Sequence, residues 1–382
     1  MSTIDLPSVV LPPSALELQA EVRSFLREET AEGHFVPRCD AWVGGFNPAF
    51  SRKLGERGWL GMTWPRRYGG KERSMLDRFV LTEELLACGA PVAAHWMSDR
   101  QIGPSLLRYG SEAQRERFLP GIARGELYFS VGMSEPDIGS DLASVRTRAE
   151  RVNGGWVLNG TKVWTTHGHR AHFIMTLCRT SQDAERHAGL SQLIVDLSAK
   201  GVTARPIALL TGEHEFAEVV FEDVFVSDEM VFGEIGGGWH QITADLAYER
   251  GGPERILSTY PLLVTLMRFV GEDSGEHVVE KVGALVAQLS ALRRMSLGVA
   301  ALFELGQIPA IEAALVKDAG TQFESKVIDA AREIAGVEPA LDAETLLGRL
   351  LAEAVLHAPG FTLRGGTSEI LRGIVARNLG LR

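Results

Sequence analysis

Residues 132–141 read GMSEPDIGSD, and they lie where a helical first part of the sequence meets a stretch rich in strand-forming residues. Before this segment, apolar residues recur at helical spacing. After it, short β-branched and aromatic runs such as HFIMTLC (172–178) are separated by turn signals. Helical spacing returns beyond Gly236 and continues to the end of the sequence. Because helices and strands are segregated along the chain, the sequence predicts an α+β fold and not an alternating α/β fold.

Local signals define several elements within this order. Ser14 and Glu17 have the spacing of a helix capping box, and Ser111 precedes another helical run. Asn153-Gly154, between two strand-like runs, predicts a hairpin turn. The last third of the sequence predicts five helices, over residues 239–270, 274–303, 307–336, 341–357 and 367–380.

The change of pattern also predicts three domains. Residues 1–127 form an N-terminal α-helical domain, residues 128–233 a middle antiparallel β domain, and residues 234–382 a C-terminal helical bundle. No GxGxxG follows a strand-like run and no GxxxxGK[ST] occurs, which argues against a Rossmann or P-loop enzyme.

Charge and cysteine content narrow the class of protein. The net charge of −10 argues against nucleic acid or an anionic membrane as a partner, because both would repel the chain. Cys39, Cys88 and Cys178 are widely spaced and contain no CxxC, so neither a disulfide framework nor a zinc site is expected. The histidines lack metal-ligand spacing, and we expect no metal. No signal peptide and no apolar run of about 20 residues are evident, so a cytoplasmic location is expected.

Three segments contain residues suited to ligand binding, and each also has an ordinary structural explanation. The Gly, Ser and carboxylate residues of GMSEPDIGSD would let a backbone approach a ligand, but they also suit a turn. KVWTTHG (162–168) offers an indole and two hydroxyls at a strand end, or a strand with a half-buried Trp. LRGGTSEILR (363–372) offers a helix start with free N–H groups, or a simple N-cap.

Taken together and in this order, the three segments resemble the signatures of the acyl-CoA dehydrogenase family. The resemblance covers nearly the whole chain. It implies an N-terminal helical domain, a middle β domain and a C-terminal four-helix bundle. It also implies FAD as the cofactor and an acyl-CoA thioester as the substrate, with the flavin taking a hydride from the β carbon.

The resemblance implies a role for each flavin-site residue. Main-chain groups around Met133 and the Ser134 hydroxyl would bind the isoalloxazine edge. Trp164 would pack on the flavin, Thr166 would form a hydrogen bond near its reactive nitrogen, and Thr165 would line the same wall.

Three further residues take roles from the same resemblance. Thr367 and Glu369, at the start of the last helix, would contact the diphosphate or ribose region of FAD. Ser140 would lie near the pantetheine arm of the thioester.

The α-proton of a thioester is weakly acidic, so the reaction needs a carboxylate base. Many family members place this base just before the last Gly-Thr-Ser, where this chain has Gly365. In enzymes that resemble isovaleryl-CoA dehydrogenase, the base instead precedes an Arg on the first helix of the C-terminal domain. Glu249-Arg250 matches that pair, so Glu249 is the predicted base and Arg250 a supporting charge near the substrate. Glu254 is the second choice.

Two family features that contact the FAD of another subunit are altered. The bundle normally carries an Arg-x-x-Phe-Gly run, but here Arg268 stands in MRFVGEDSG with different spacing. Glu333 stands where the family has Gln, and Val337 replaces the second Gly of a following pair. The alterations favour an α2β2 tetramer with a different homologous subunit, as in enzymes for steroid or other bulky CoA esters, with a homotetramer as the alternative.

Other activities stay open at this stage. A dehydrogenase would pass electrons to an electron-transfer flavoprotein. An oxidase or a flavin monooxygenase on the same scaffold would react with oxygen and would need no α-proton base. A non-catalytic or half-site subunit of a heteromeric dehydrogenase would also explain the altered segments.

Overall fold

The computed structural model describes residues 4–181, 187–271 and 274–381, apart from the side chains of residues 245–249. Helices come first, strands second and helices again last. The first group comprises α1 Pro13–Ala31, α2 Ala41–Gly44, α3 Pro48–Glu56, α4 Met75–Ala87, α5 Ala93–Met97, α6 Gly103–Tyr109 and α7 Glu112–Ala123. The strands are β1 Phe129–Gly132, β2 Arg148–Val152, β3 Gly155–Thr166, β4 Phe173–Arg179, β5 Leu190–Asp196, β6 Val202–Ile207, β7 Phe216–Ser227 and β8 Val231–Phe232. The second group comprises α8 Gly238–Arg250, α9 Tyr260–Val270, α10 Glu276–Glu304, α11 Ala310–Ala335, α12 Leu346–Phe361 and α13 Ser368–Asn378.

The predicted α+β class is confirmed. Contacts group the chain into two units: the first contains residues 1–45, 73–92 and 246–382, and the second contains residues 46–72 and 93–245. The predicted boundaries at 127/128 and 233/234 stay predictions.

The second unit is built on a sheet whose strands lie in the order β6-β7-β3-β2-β4-β5-β8, with β1 paired to β4. The sheet is mixed and not wholly antiparallel, because β1 pairs with β4 in parallel and β2 adds one parallel bridge to β4. The hairpin predicted at Asn153-Gly154 is confirmed, with Gly154 at φ 75° in the turn. One apolar core joins buried strand residues such as Leu158 and Ile194 to helix residues such as Phe118.

The first unit contains the bundle, in which α9, α10 and α12 all pack on α11. A single predicted helix over 239–270 is wrong: α8 ends at Arg250, and α9 begins at Tyr260. Gly251, Gly252 and Pro253 separate them, since glycine favours other backbone angles and proline has no N–H to donate.

In the described chain, α10 alone is long and apolar enough to cross a membrane, and here it packs against α4 and α11.

The two predicted helix caps have different outcomes. Ser111 and Gln114 form a capping box at the start of α7. The box predicted at Ser14 does not form, because α1 already begins at Pro13, with Pro12 as its N-cap, and Ser14 lies inside the helix. Proline suits the first helical position because its φ is already near the helical value. The Ser14 hydroxyl instead donates to Asp77 Oδ1 at 3.4 Å.

Candidate active site

The segment after β1 is held by a buried ion pair. Lys162 Nζ lies 2.9 Å from Glu135 Oε1 and donates to the Met133 carbonyl at 3.0 Å. Glu135 also accepts the backbone N–H groups of Arg146 and Thr147, at 2.7 and 2.8 Å. Burial alone would raise the pKa of Glu135, but Lys162 and these N–H groups give a net lowering. The segment that carries Met133 and Ser134 is therefore held in place by the charged side chains of Lys162 and Glu135.

Trp164 is an exposed aromatic residue at the end of β3. The register with β7 is irregular between Lys162 and Thr165, and Trp164 has a φ of 58°. A bulky residue with positive φ is unusual, and such a conformation typically costs about 1–3 kcal/mol. The side chain is 56% exposed and touches Phe216 edge-on, with ring centroids 6.1 Å apart. A strained, exposed indole offers a flat surface for a planar ligand.

The two threonines that follow differ in exposure. Thr165 is fully buried, and within the described chain its hydroxyl has no hydrogen-bond partner. Thr166 is half-buried, and its carbonyl accepts the Ser130 hydroxyl at 2.8 Å. Ser140 is exposed in the loop that follows β1. In this unit, Met133, Ser134, Trp164 and Thr166 are thus within reach of a ligand, whereas Thr165 is covered.

In the first unit, the turn before α13 is held by two buried cations. Arg250 Nε donates to the Gly365 carbonyl at 2.9 Å. Lys317 is fully buried and donates to the carbonyls of Phe361 and Gly366 at 3.2 and 2.8 Å. Gly365 and Gly366 have φ of 68° and 100°, angles that side chains with a Cβ rarely adopt. A base at position 365 would therefore strain this turn.

Thr367 is the N-cap of α13 and Glu369 lies in its first turn, and their contacts with a ligand stay a prediction. The Thr367 hydroxyl accepts the Ile370 N–H at 3.4 Å and caps the helix. Glu369 is exposed, and hydrogen bonds from its own backbone N–H and from the Thr367 side chain lower its pKa. The turn presents polar groups to solvent next to a helix N-terminus, where anionic ligand atoms are favoured.

The predicted base and its second choice lie at the end of α8 and just beyond it. Glu249 belongs to α8, but its side chain lies outside the described part of the chain. Arg250 is buried against the Gly365 turn, which gives it a structural contact in addition to its predicted role near the substrate. Glu254 is only 1% exposed, and its Oε1 lies 3.7 Å from Arg255 Nε. Its burial argues against the second choice of base.

A buried charge network in the first unit was not predicted. Arg364 donates to both oxygens of Asp40 at 2.6 Å, and His357 Nδ1 lies 3.2 Å from Asp40 Oδ2. The Arg364 guanidinium also lies 4.3 Å from the Trp42 ring centroid. Burial would raise the pKa of Asp40, yet Arg364 and His357 hold it well below its ordinary value. The partners are more than 300 residues apart in sequence, so no local motif could indicate them.

Glu324 lies near this network. It accepts the Ser258 N–H at 2.8 Å, and burial raises its pKa to about 7 despite the attraction of Arg364. A raised carboxyl pKa means that the folded state retains a proton that the unfolded state has already lost. Stability from this group is therefore full below pH 4.5 and falls as the pH rises toward about 7.

Replacing Glu324 by glutamine should remove this pH dependence. Glutamine keeps an oxygen for the Ser258 N–H but carries no charge. A pKa change from 4.5 to about 7 corresponds to about 3 kcal/mol, so the variant should gain up to that amount relative to native protein at pH 8. Denaturant unfolding at pH 5 and pH 8 measures the difference, which should be much smaller at pH 5. An equal difference in the free energy of unfolding at both pH values would contradict the raised pKa of Glu324.

Three family models match the chain in order. The model for "Acyl-CoA dehydrogenase, N-terminal domain" matches residues 12–126, the middle-domain model residues 130–224, and the C-terminal-domain model residues 272–380. The chain belongs to the acyl-CoA dehydrogenase family. The family resemblance and the family fold predicted from the sequence are confirmed, and with them the class of enzyme, an oxidoreductase.

Individual members of the acyl-CoA dehydrogenase family extend this result. The acyl-CoA dehydrogenase IpdE1 of Mycobacterium tuberculosis is 32% identical over 96% of this chain and 97% of its own length. The chain spans 45% of the length of another relative from that organism, FadE34, which is 31% identical over 85% of the chain.

Two solved structures have TM-scores of 0.84 and 28% identity. One is the "Tcur3481-Tcur3483 steroid ACAD", which matches 97% of each chain. The other is the ChsE4-ChsE5 complex from Mycobacterium tuberculosis, which covers 98% of this chain and 99% of that one.

Proposed function

We propose that this chain is an FAD-dependent acyl-CoA dehydrogenase that removes hydrogens from the α and β carbons of an acyl-CoA thioester. The observation that carries the proposal is the exposed, strained indole of Trp164. It adjoins the polar segment of Met133 and Ser134, because the Ser134 carbonyl accepts the N–H of the preceding Val163 at 2.9 Å. An unliganded protein gains nothing from exposing Trp in a costly backbone conformation. A planar, polar-edged cofactor suits this surface, and membership of the family favours FAD.

Each residue of the proposed cofactor site has a defined task. Trp164 covers one side of the cofactor, Met133, Ser134 and Thr166 bind its polar edge, and Thr165 backs this wall. Thr367 and Glu369 bind its diphosphate or ribose region. When bound, FAD supplies the acceptor for the hydride that leaves the β carbon.

Three residues act on the substrate. Glu249 removes the α proton, Arg250 adds a positive charge near it, and Ser140 contacts the pantetheine arm. The similar solved structures include a steroid ACAD, which favours a bulky acyl group over a short one. An electron-transfer flavoprotein accepts the electrons. A cytoplasmic location suits Cys39, Cys88 and Cys178, all of which are free thiols.

Replacement of Trp164 by alanine tests the cofactor site. We expect the dissociation constant for FAD to rise at least tenfold, since loss of stacking on one face removes about 1.4 kcal/mol or more. Folding stability should change by less than about 0.5 kcal/mol because the side chain is exposed. Phe225→Ala is a matched control, since Phe225 is also a 56% exposed aromatic residue of the same unit. Equal FAD affinities for all three proteins would refute this site.

We also propose that the chain works with a different homologous subunit. Glu333, which stands at the family's Gln position, forms an ion pair with Lys281 that lowers its pKa. In addition to Glu369, the Glu333 carboxylate would be a second negative charge near an FAD diphosphate, and it would repel the phosphate groups. Arg268 is exposed on α9 but lacks the family spacing. These altered residues are the ones that would contact the FAD of a neighbouring subunit. Their alteration supports the proposal that this chain does not complete the FAD site of another copy of itself.

The assembly proposal has a simple test. The chain should be purified alone and with a co-expressed homologous subunit, and its mass and flavin content measured. We expect an α2β2 tetramer with FAD at only some sites. A stable homotetramer with one FAD per chain would rule out the heteromer and would equally exclude the second candidate, a non-catalytic subunit.

A further inference from the structure

We propose that Lys162 positions the flavin-binding segment by fixing the direction of the peptide group between Met133 and Ser134. This inference rests on the proposed FAD site, and it assigns to Lys162 and Glu135 a task beyond holding the fold together. Lys162 is a positioning residue here, because it acts on the cofactor through the main chain.

The burial of Lys162 is the first observation. Its side chain is fully buried, and Glu135 is only 6% exposed. Removing an ammonium and a carboxylate from water is costly, and apolar residues of similar volume often serve stability as well or better. A buried pair in this position therefore calls for a reason other than stability. Burial lowers the pKa of Lys162, while Glu135 opposes that shift.

The contacts of the pair supply that reason. Lys162 Nζ donates to the Met133 carbonyl at 3.0 Å as well as to Glu135. Glu135 accepts the N–H groups of Arg146 and Thr147 at the other end of the same loop. The pair thus ties both ends of residues 133–147 to the middle of β3. Because Lys162 and Glu135 bind main-chain groups, apolar residues packed at the same positions would not fix the direction of those groups.

Peptide planarity converts this anchor into a direction. In a trans peptide, the carbonyl of one residue and the N–H of the next point in opposite directions. With the Met133 carbonyl aimed at the buried ammonium, the Ser134 N–H must point away from it. The Ser134 carbonyl accepts the Val163 N–H at 2.9 Å, which fixes the next peptide too. Throughout the described chain, the Ser134 N–H meets no acceptor of its own.

The Ser134 N–H is therefore an available hydrogen-bond donor on the segment that adjoins β3. Two residues beyond Lys162, the same strand carries the exposed indole of Trp164. β3 therefore supplies both the stacking surface and, through Lys162, the orientation of a free N–H suited to an oxygen or nitrogen atom at the edge of a flavin. Without the anchor, the peptide would be free to rotate and this donor would lose its direction.

The test separates positioning from stability by a double substitution. Lys162→Met alone leaves Glu135 charged and buried without its cation, and the fold should weaken. The combined variant Lys162→Met with Glu135→Gln removes both charges, and the thermal midpoint should recover most of the loss. FAD affinity should not recover: we expect its dissociation constant to stay about tenfold above that of the native protein, with an altered visible spectrum of bound flavin.

A matched control removes another buried donor in the same unit. Gln114 is 3% exposed and donates to the carbonyls of Glu229 and Val231, each at 2.8 Å. Gln114→Met should lower the thermal midpoint but leave the FAD dissociation constant within twofold. If Gln114→Met weakened FAD binding as much as the double variant, or if the double variant bound FAD with native affinity and spectrum, the positioning role would be wrong.

Hydrogen exchange in the FAD-free protein separates this inference from the proposed function. Residues 133–147 should exchange faster in the double variant than in native protein, while β5 and β7 keep native rates. Unchanged exchange in this segment would overturn the positioning role. Failure of native protein to bind FAD, alone or with its partner subunit, would instead overturn the proposed cofactor.

Discussion

Replacing Asp40 by asparagine is expected to lower the free energy of unfolding by about 3–5 kcal/mol, the typical cost of removing one member of a buried ion pair. The Asp40 carboxylate is fully buried and accepts two 2.6 Å hydrogen bonds from Arg364. The substitution would leave the guanidinium beside Trp42 without its counter-charge. Since the pKa of Asp40 is held below its ordinary value of 3.8, this contribution is present above pH 3.8 and is lost as the pH falls below it.

Asp228 offers a matched comparison for the Asp40 substitution. It forms a two-point pair with Arg151, but the two side chains are 46% and 55% exposed. Exposed pairs of this kind contribute about 0–1 kcal/mol, so Asp228→Asn should have little effect. Denaturant unfolding of both variants at pH 7 measures the contrast. A loss for Asp40→Asn as small as that expected for Asp228→Asn would show that the Asp40 network does not support the bundle.

Replacing Glu249 by glutamine is expected to lower the rate of substrate oxidation by about 10²–10⁴-fold, the usual contribution of a general base. The amide has nearly the same shape but cannot take the α proton. FAD content should stay unchanged, because the proposed cofactor contacts come from other residues. Single-turnover reduction of bound flavin by an acyl-CoA gives the rate directly, without interference from product release.

Glu254→Gln is the informative partner variant. Glu254 is buried beside Arg255, so its substitution should affect stability more than rate. A native rate for Glu249→Gln combined with a large loss for Glu254→Gln would move the base to the second position. A native rate for both variants would remove carboxylate catalysis by this helix.

The sequence predicted the order of elements well, because periodicity is a local property. The hairpin at Gly154 and the cap at Ser111 follow from a few neighbouring residues, and both are confirmed. The cap predicted at Ser14 is wrong because Pro13 satisfies the helix start equally well. The break after Arg250 was missed because helical spacing continues on both sides of the Gly-Gly-Pro sequence.

The site was predictable only where function is written in a short motif. GMSEPDIGSD, after β1, and KVWTTHG, at the end of β3, indicated two segments that the second unit joins through the Val163 N–H and the Ser134 carbonyl. The motifs indicated no role for Lys162 or Glu135, because the residue type alone does not show whether a lysine is buried or exposed. The pairing of Asp40 with Arg364 depends on tertiary contacts across 324 residues, which no spacing rule can reveal.

Anaerobic mixing of the purified, FAD-loaded protein with a panel of acyl-CoA thioesters tests the central claim most directly. The flavin absorbance should bleach rapidly with at least one bulky acyl-CoA, and the same mixture should bleach far more slowly with the Glu249→Gln variant. Persistent yellow colour with every thioester, in the presence of the co-expressed partner subunit, would contradict the account.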